Sequence, residues 1–146
     1  VEPKMASQIV WLDAFITNVD RTFRNTNMLI WHRELWLIDH GASLYFHHSF
    51  EDSEGHAKSP FAMIKDHVLL PQASLLEEVD KEYKIMLTDN KLRTIVSLLP
   101  DNWLQWEGLE QTPDEVREVY FQFLTTRLNN SQIFVNQAQN ARQTLI

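Results

Sequence analysis

Residues 15–41 read FITNVDRTFRNTNMLIWHRELWLIDHG, and the rest of the chain is best understood as the scaffold of this stretch. Two carboxylates, Asp20 and Asp39, flank a short apolar hairpin, and the amide of Asn25 follows five residues after Asp20. Phosphoryl transfer needs a carboxylate that accepts the proton of the attacking hydroxyl, and oxygen ligands for the metal ion on the phosphate. The pattern therefore predicts Asp20 as the base, with Asn25 and Asp39 as Mg²⁺ ligands.

The segment before the hairpin is polar. Asn18–Asn27 contains two threonines and three asparagines, a composition typical of a loop. Apolar residues at helical spacing, among them Met5, Ile9 and Leu12, predict an amphipathic helix from Pro3 to about Thr17. This helix would position the base at the start of the loop.

The hairpin consists of two short runs that favour β structure, Met28–Trp31 and Glu34–Ile38. His32 and Arg33 between them predict a tight turn. The second strand leads to an Asp-His-Gly sequence. We expect Gly41 to allow the backbone a conformation that a residue with a Cβ would resist.

The five tryptophans fall into two groups. Trp11, Trp31 and Trp36 lie in predicted regular structure, so we expect them to pack in the core. Trp103 and Trp106 lie in a predicted turn, where they are free to contact a partner or another lobe.

Two motifs resemble those of the HipA-like kinases. Asn18-Val-Asp20-Arg21-x3-Asn25 is similar to their catalytic loop, and Ile38-Asp39-His40-Gly41 is similar to their metal-binding Asp-x-Gly. Phosphoinositide lipid kinases share the layout more distantly, with Asp-Arg-His-x-x-Asn and Asp-Phe-Gly. Thr22 stands where the lipid-kinase pattern has His, and His40 stands where many kinases have Phe. The surrounding residues look closer to a HipA-like kinase.

The resemblance implies a fold class. It implies the C-terminal lobe of a protein-kinase-like fold, mainly α with a small β-hairpin, as a single domain over residues 1–146. In that domain, residues 18–27 would form the catalytic loop, residues 39–41 the metal-binding Asp-His-Gly, and residues 59–146 a helical scaffold.

The resemblance also implies an activity. The protein would be an ATP-dependent phosphotransferase that uses ATP with Mg²⁺, and its acceptor would be a Ser or Thr of a protein. Supporting positions in the loop or beside the nucleotide would be occupied by Asn18, Arg21, Asn27, His40 and Gly41. For Arg21 we favour a structural pairing with a neighbouring carboxylate.

The chain has no glycine-rich phosphate loop, because its three glycines, Gly41, Gly55 and Gly108, are far apart. A kinase also needs a strand lysine paired with a helix glutamate, normally before the catalytic loop, and nineteen residues precede Asp20. We expect the N-terminal nucleotide-binding lobe to be absent from this chain, and the isolated chain to be inactive until it associates with that lobe or another chain. The first residue, Val1, agrees with a cleaved or truncated product.

The composition limits the other functions. With 146 residues, 44% of them hydrophobic, one domain with its own core is expected. A net charge of −7 disfavours binding of nucleic acid through its phosphates. The absence of cysteine suits a reducing cytosol, and no uninterrupted apolar run reaches membrane-spanning length, so we expect a cytoplasmic protein that does not enter membranes.

Helix starts are predicted at several positions of the scaffold. Ser59-Pro60 predicts a helix that runs to about Leu70. Ser74-x-x-Glu77 and Thr112-x-x-Glu115 each predict a capping box at the start of a helix, and Asp89 predicts a cap of a further helix. Asn129-Asn130 either interrupts the last helical region or lies within one helix. Before the scaffold, Ala42–His48 leaves the site, and Phe50–Lys58 is charged and contains Gly, which predicts a mobile loop.

Two alternative functions remain open. The first is a non-catalytic binding module that keeps the kinase fold, distinguished by whether Asp20, Asn25 and Asp39 converge. The second is a metal-dependent phosphohydrolase that uses His and Asp ligands. Its candidate ligands are His32, His40, His47, His48, His56 and His67, but their spacing matches no zinc-binding helical pair.

Overall fold

The computed structural model describes residues 1–44 and 52–146, and these residues are mainly helical with one small sheet. The α-helices are α1 Pro3–Phe15, α2 Ser53–Ala57, α3 Leu76–Met86, α4 Asp89–Ser97, α5 Pro113–Asn129 and α6 Ser131–Gln143. Strands β1 Met28–Trp31 and β2 Glu34–Leu37 pair antiparallel, and short 3₁₀ helices cover Ala62–Asp66, Leu70–Gln72 and Asp101–Trp103. The predicted combination of helices with a β-hairpin is confirmed.

Helix α1 lies at the centre of the core, where it packs against α3, α5 and α6. The Trp11 ring stacks on Phe15 and meets the rings of Tyr83 and Phe134 edge-on. Its indole Nε1 donates to Asp80 Oδ1 at 2.9 Å. Burying the large ring while satisfying its polar nitrogen holds α1 in one position relative to α3. The expected core role of Trp11 is confirmed.

The C-terminal end of α1 is held by Arg127 of α5, which is fully buried. Its guanidinium donates to Ala14 O at 2.6 Å and to Ala57 O and Ser59 O at 3.0 Å. These carbonyls belong to two separate segments, the end of α1 and the end of α2, so one side chain joins α5 to both. The loop after α1 therefore leaves from a rigid support.

The hairpin forms as predicted. Met28 pairs with Leu37 and Trp31 with Glu34, which leaves a two-residue turn. His32 and Arg33 both have positive φ, 50° and 66°, as expected for a type I′ turn whose twist matches that of the strands.

The expected core packing of the hairpin tryptophans is wrong. Trp31 is 57% exposed and Trp36 is 44% exposed. The two rings contact each other with centroids 5.7 Å apart. A two-stranded sheet has no second layer to cover both faces, so the hairpin presents apolar side chains outward.

The predicted helix over Ser59–Leu70 is also wrong. Phe61 adopts the left-handed conformation with φ 56°, which interrupts any helix that begins at Pro60. Two 3₁₀ segments follow, and between them His67 is extended and pairs with Thr22. This pairing joins the scaffold directly to the predicted catalytic loop.

The predicted caps have mixed outcomes. The capping box of Thr112 and Glu115 is confirmed, with both reciprocal hydrogen bonds present. Helix α3 begins after Leu75 without a side-chain cap, and the Leu75 N–H donates to Ser7 Oγ at 2.9 Å. At α4 the capping side chain is Thr88 rather than Asp89. At α3 a tertiary hydrogen bond replaces the predicted cap, and at α4 the preceding residue takes the capping role.

The region between the hairpin and the scaffold contains a helix. Residues 53–57, predicted as part of a mobile loop, form α2, and the Asp52 carboxylate accepts from Gly55 N–H at 3.1 Å at its start. Most of the predicted segment 42–48, and residues 50–51 of the predicted loop, lie outside the described residues. Helices α5 and α6 are separate, with Asn130 between them. In the described ranges, no helix is long and apolar enough to cross a membrane.

Candidate active site

Asp20 lies in the loop that follows α1, and two side-chain amides hold its carboxylate. Asn25 Nδ2 donates to Asp20 Oδ2 at 2.9 Å, and Asn27 Nδ2 reaches the same oxygen at 3.3 Å. Asn27 Nδ2 also donates to the Asp20 carbonyl at 3.0 Å. These contacts orient the carboxylate through Oδ2, whereas Oδ1 accepts no hydrogen bond within the described part of the chain. Asp20 is half-buried, so this second oxygen belongs to a group that solvent reaches.

The backbone entry into the loop is fixed by Asn18. Its Oδ1 accepts from the Asp20 N–H at 3.2 Å, an arrangement that closes a turn around Val19. Its Nδ2 donates to Asp13 Oδ1 at 3.0 Å. Asn18 is buried. The amide therefore connects the candidate base to a carboxylate inside α1.

Asp13 is the centre of a buried polar cluster beneath the loop. Arg21 Nε donates to Asp13 Oδ2 at 2.5 Å, and His67 Nε2 lies 2.9 Å from the same oxygen. Burial by itself raises the pKa of Asp13, but the hydrogen bonds from His67 and Arg21 together outweigh it, and the pKa lies below its ordinary value. The carboxylate is thus ionised and paired with the buried guanidinium.

The hydrogen bonds of His67 define its tautomer. The Leu69 backbone N–H donates to His67 Nδ1 at 3.0 Å, so Nδ1 is an acceptor. The proton of the neutral ring is therefore on Nε2, which donates to Asp13. His67 is 3% exposed. Its role here is to position Asp13.

Arg21 joins the loop to the Asp-His-Gly segment. Besides Asp13, its guanidinium donates to the Asn27 carbonyl, and its Nη2 lies 3.2 Å from His40 Nε2. The favoured pairing of Arg21 with a carboxylate is confirmed, and Asp13 is the partner. One buried side chain thus sets the position of His40 relative to the loop that carries Asp20.

Asp39 and Gly41 behave differently from the prediction. The left-handed conformation belongs to Asp39, with φ 52°, and Gly41 has no positive φ. A Cβ on Gly41 would lie 3.4 Å from Asp39 Oδ1, an ordinary contact. Aspartate tolerates left-handed backbone better than most residues because its short polar side chain can compensate locally. The expected backbone role of Gly41 is therefore wrong, and Asp39 makes the turn itself.

The predicted metal ligands have suitable donor atoms. Asn25 uses its Nδ2 on Asp20, which leaves its amide oxygen available, and the exposed Asp39 carboxylate has no hydrogen bond or ion pair to the described residues. Mg²⁺ prefers such oxygens and keeps several waters in its coordination shell. Over residues 1–44 and 52–146, no group of three His, Cys, Asp or Glu side chains forms a metal-binding cluster.

Asp13 was not predicted as a site residue. Its signal in the sequence is a lone acidic residue among Trp11, Ala14 and Phe15 on the apolar face of a helix. Such a carboxylate is buried, and a buried carboxylate requires a partner. Its partner His67 lies 54 positions away, and no sequence pattern relates the two.

A carboxylate held by two amides, followed by a hairpin and a second carboxylate, resembles the arrangement in HipA-like kinases. Comparison with protein families agrees, because the family model described as HipA-like kinase matches residues 1–136. The chain belongs to the HipA-like kinase family. No curated protein and no solved structure matches it significantly.

Proposed function

We propose that this chain is the catalytic-loop portion of a HipA-like kinase and forms the C-terminal lobe of its fold. It would transfer the γ-phosphoryl group of ATP to a Ser or Thr hydroxyl of a protein. The observation that carries this proposal is the Asp20 carboxylate, which is held through Oδ2 by Asn25 and Asn27 while Oδ1 has no donor in the described chain. Membership of the HipA-like kinase family supports it.

In this proposal Asp20 Oδ1 accepts the proton of the attacking hydroxyl. A base must lie within hydrogen-bond reach of the proton that it removes, and the two amides keep the carboxylate from rotating away. Protein kinases rely mainly on positioning and electrostatics, so a fixed carboxylate matters more than a reactive one.

Asn25 and Asp39 would hold Mg²⁺, which supplies charge neutralisation on the phosphate oxygens. The contribution of the chain is the placement of these two residues. Arg21 connects Asn27, which precedes the hairpin, with His40, which follows it. Arg21 therefore holds the loop and the Asp-His-Gly segment in one arrangement.

Nucleotide binding would require a further lobe. Kinases cover the phosphates with a glycine-rich loop and a strand lysine, and these 146 residues contain no such loop. We propose that this lobe comes from residues beyond these 146 or from another chain. The outward-facing apolar hairpin side chains, including Ile30 and Trp31, support an association on that side.

The test is phosphoryl transfer from radiolabelled ATP to protein, with the 146-residue chain alone and with the nucleotide-binding lobe of its own kinase added in cis or in trans. Transfer should require the added lobe. Asp20→Ala should abolish it, which corresponds to a loss of at least about a hundredfold for a general base. The matched control is Asp89→Ala, an exposed aspartate at the start of α4.

Two results would contradict the proposal: strong ATP turnover by the 146 residues alone, or full activity after Asp20→Ala. If the complete protein transfers no phosphoryl group but still binds its ligands, the non-catalytic binding module is favoured.

A further inference from the structure

A cavity of about 510 Å³ lies beside the loop that carries Asp20. Its walls come from two segments, the loop residues 22–24 and the 3₁₀ helix Ala62–Asp66, with Leu145 near the end of the chain. The Val68 N–H donates to Arg21 O at 3.0 Å, which joins the two walls by backbone pairing. The volume is within the range of ligand-binding pockets.

The cavity contains two cations without partners. Arg24 and Lys65 line it, both are exposed, and within the described residues neither forms an ion pair or a side-chain hydrogen bond. Several other cations of this acidic chain are paired, for example Arg93 with Glu118 and Lys84 with Asp80, whereas Lys81 and Lys91 form no ion pair with the described residues. Asp66 also lines the cavity, so its side chains carry a net charge of about +1 at neutral pH.

Part of the cavity wall is apolar. Phe23 and Leu145 line it, and the Phe23 side chain is 68% exposed. Exposing a large aromatic side chain next to free cations leaves both apolar and charged surface available to a ligand. A ligand that fits has one carboxylate and adjacent apolar groups.

The position of the cavity relates it to Asp20. The Thr22 N–H donates to Asn25 O at 2.8 Å, so residues 22–25 form a closed turn. The side chain at the end of this turn, Asn25, is one of the two that donate to the Asp20 carboxylate. One short turn therefore joins the cavity lining to the Asp20 carboxylate.

We propose that this cavity is a subsite for the acceptor and binds an Asp or Glu side chain next to the Ser or Thr that is phosphorylated. This inference rests on the proposed function, because it takes Asp20 as the base. Arg24 and Lys65 attract the carboxylate, and Phe23 packs against the neighbouring residue of the peptide. A dianionic phosphate suits the cavity less well, because Asp66 leaves only one net positive charge.

The test uses fluorescein-labelled nonapeptides with a central Ser and a single flanking Glu, Gln or phosphoserine at each position in turn. Binding to the 146-residue chain is measured by fluorescence polarisation, without nucleotide. At the preferred position, the Glu peptide should bind about tenfold more tightly than the Gln peptide, equivalent to about 1.4 kcal/mol from two exposed charge contacts. Added salt should reduce the ratio.

The double variant Arg24→Gln/Lys65→Gln should bring the Glu-to-Gln ratio below about twofold, because it removes both charge contacts. Lys81→Gln/Lys91→Gln is the matched control, since these exposed lysines lie on α3 and α4 outside the cavity and their loss changes the net charge equally. The control should keep the full ratio. Circular dichroism verifies that each variant is folded.

A ratio near one in the native chain, an equal loss in both double variants, or stronger binding of the phosphoserine peptide would each overturn the acidic-peptide subsite. The same peptides are then assayed for phosphorylation by the complete kinase. Phosphorylation without a preference for Glu refutes the subsite alone. Glu-selective binding without phosphorylation refutes the proposed function and the acceptor role, and leaves the cavity as an acidic-peptide site only.

Discussion

Arg21 Nε lies 2.5 Å from Asp13 Oδ2, and both side chains are fully buried. This ion pair joins α1 to the loop that carries Asp20, and the remaining donors of the guanidinium reach Asn27 and His40. Buried charges are costly unless they are paired and hydrogen-bonded. The ion pair is therefore weak evidence for a gain in stability. It is better evidence that the loop has one specific arrangement.

Asp13→Asn should destabilise the protein by about 3–5 kcal/mol, because it leaves the Arg21 charge buried without its counterion. The measurement is urea unfolding followed by circular dichroism. Asp114→Asn is the control, since Asp114 pairs with Arg117 at the surface and its side chain is 93% exposed. The free energy of unfolding of the control should fall by less than about 1 kcal/mol. Equal losses in the two variants would contradict the structural role of the buried pair.

Acid should weaken the native protein through Asp13. The pKa of Asp13 in the folded chain lies below the ordinary value of 3.8, so the unfolded chain binds more protons between these two pKa values. The Asp13 contribution is complete above about pH 3.8 and is lost as the pH falls through the folded pKa. As the pH is lowered below 5, the free energy of unfolding should fall less steeply for Asp13→Asn than for the native chain. If the free energy of unfolding depends on pH in the same way in both proteins, this carboxylate does not link folding to pH.

The turn at the Asp-His-Gly segment depends on position 39 rather than position 41. Because Asp39 has φ 52°, Asp39→Gly should give a protein about 1 kcal/mol more stable than Asp39→Ala. Gly41→Ala should change the unfolding free energy by no more than about 0.5 kcal/mol, since the added Cβ makes only ordinary contacts. Urea unfolding of the three variants tests this. A large loss for Gly41→Ala with no difference at position 39 would reverse the assignment.

Magnesium should bind the isolated chain weakly, because nucleotide phosphates and water normally supply most of its ligands. Titration calorimetry with MgCl₂ should give a small saturable signal that Asp39→Asn removes. Glu107→Gln, an exposed acidic residue of another region, serves as the control and should keep the signal. Tight zinc binding that resists a chelator would favour the metal-dependent hydrolase instead.

The hairpin illustrates what local sequence predicts well. Two β-prone runs separated by two residues left few alternatives for Met28–Leu37, and the capping box of Thr112 and Glu115 was similarly local. In both cases the interacting groups lie within ten residues of each other. The helix predicted from Ser59 failed because Phe61 is left-handed and because His67 is extended and pairs with Thr22, which is distant in the sequence.

The sequence by itself determined the family, the hairpin and the pattern that marks Asp20, Asn25 and Asp39 as candidates, because these features depend on neighbouring residues. Only the tertiary structure decided how the loop is supported. Asp13, Arg21 and His67 come from three segments, and their contact is favourable because each buried polar group needs the others as hydrogen-bond partners. Such mutual dependence exists only once the chain has folded, so no spacing in the sequence predicts it.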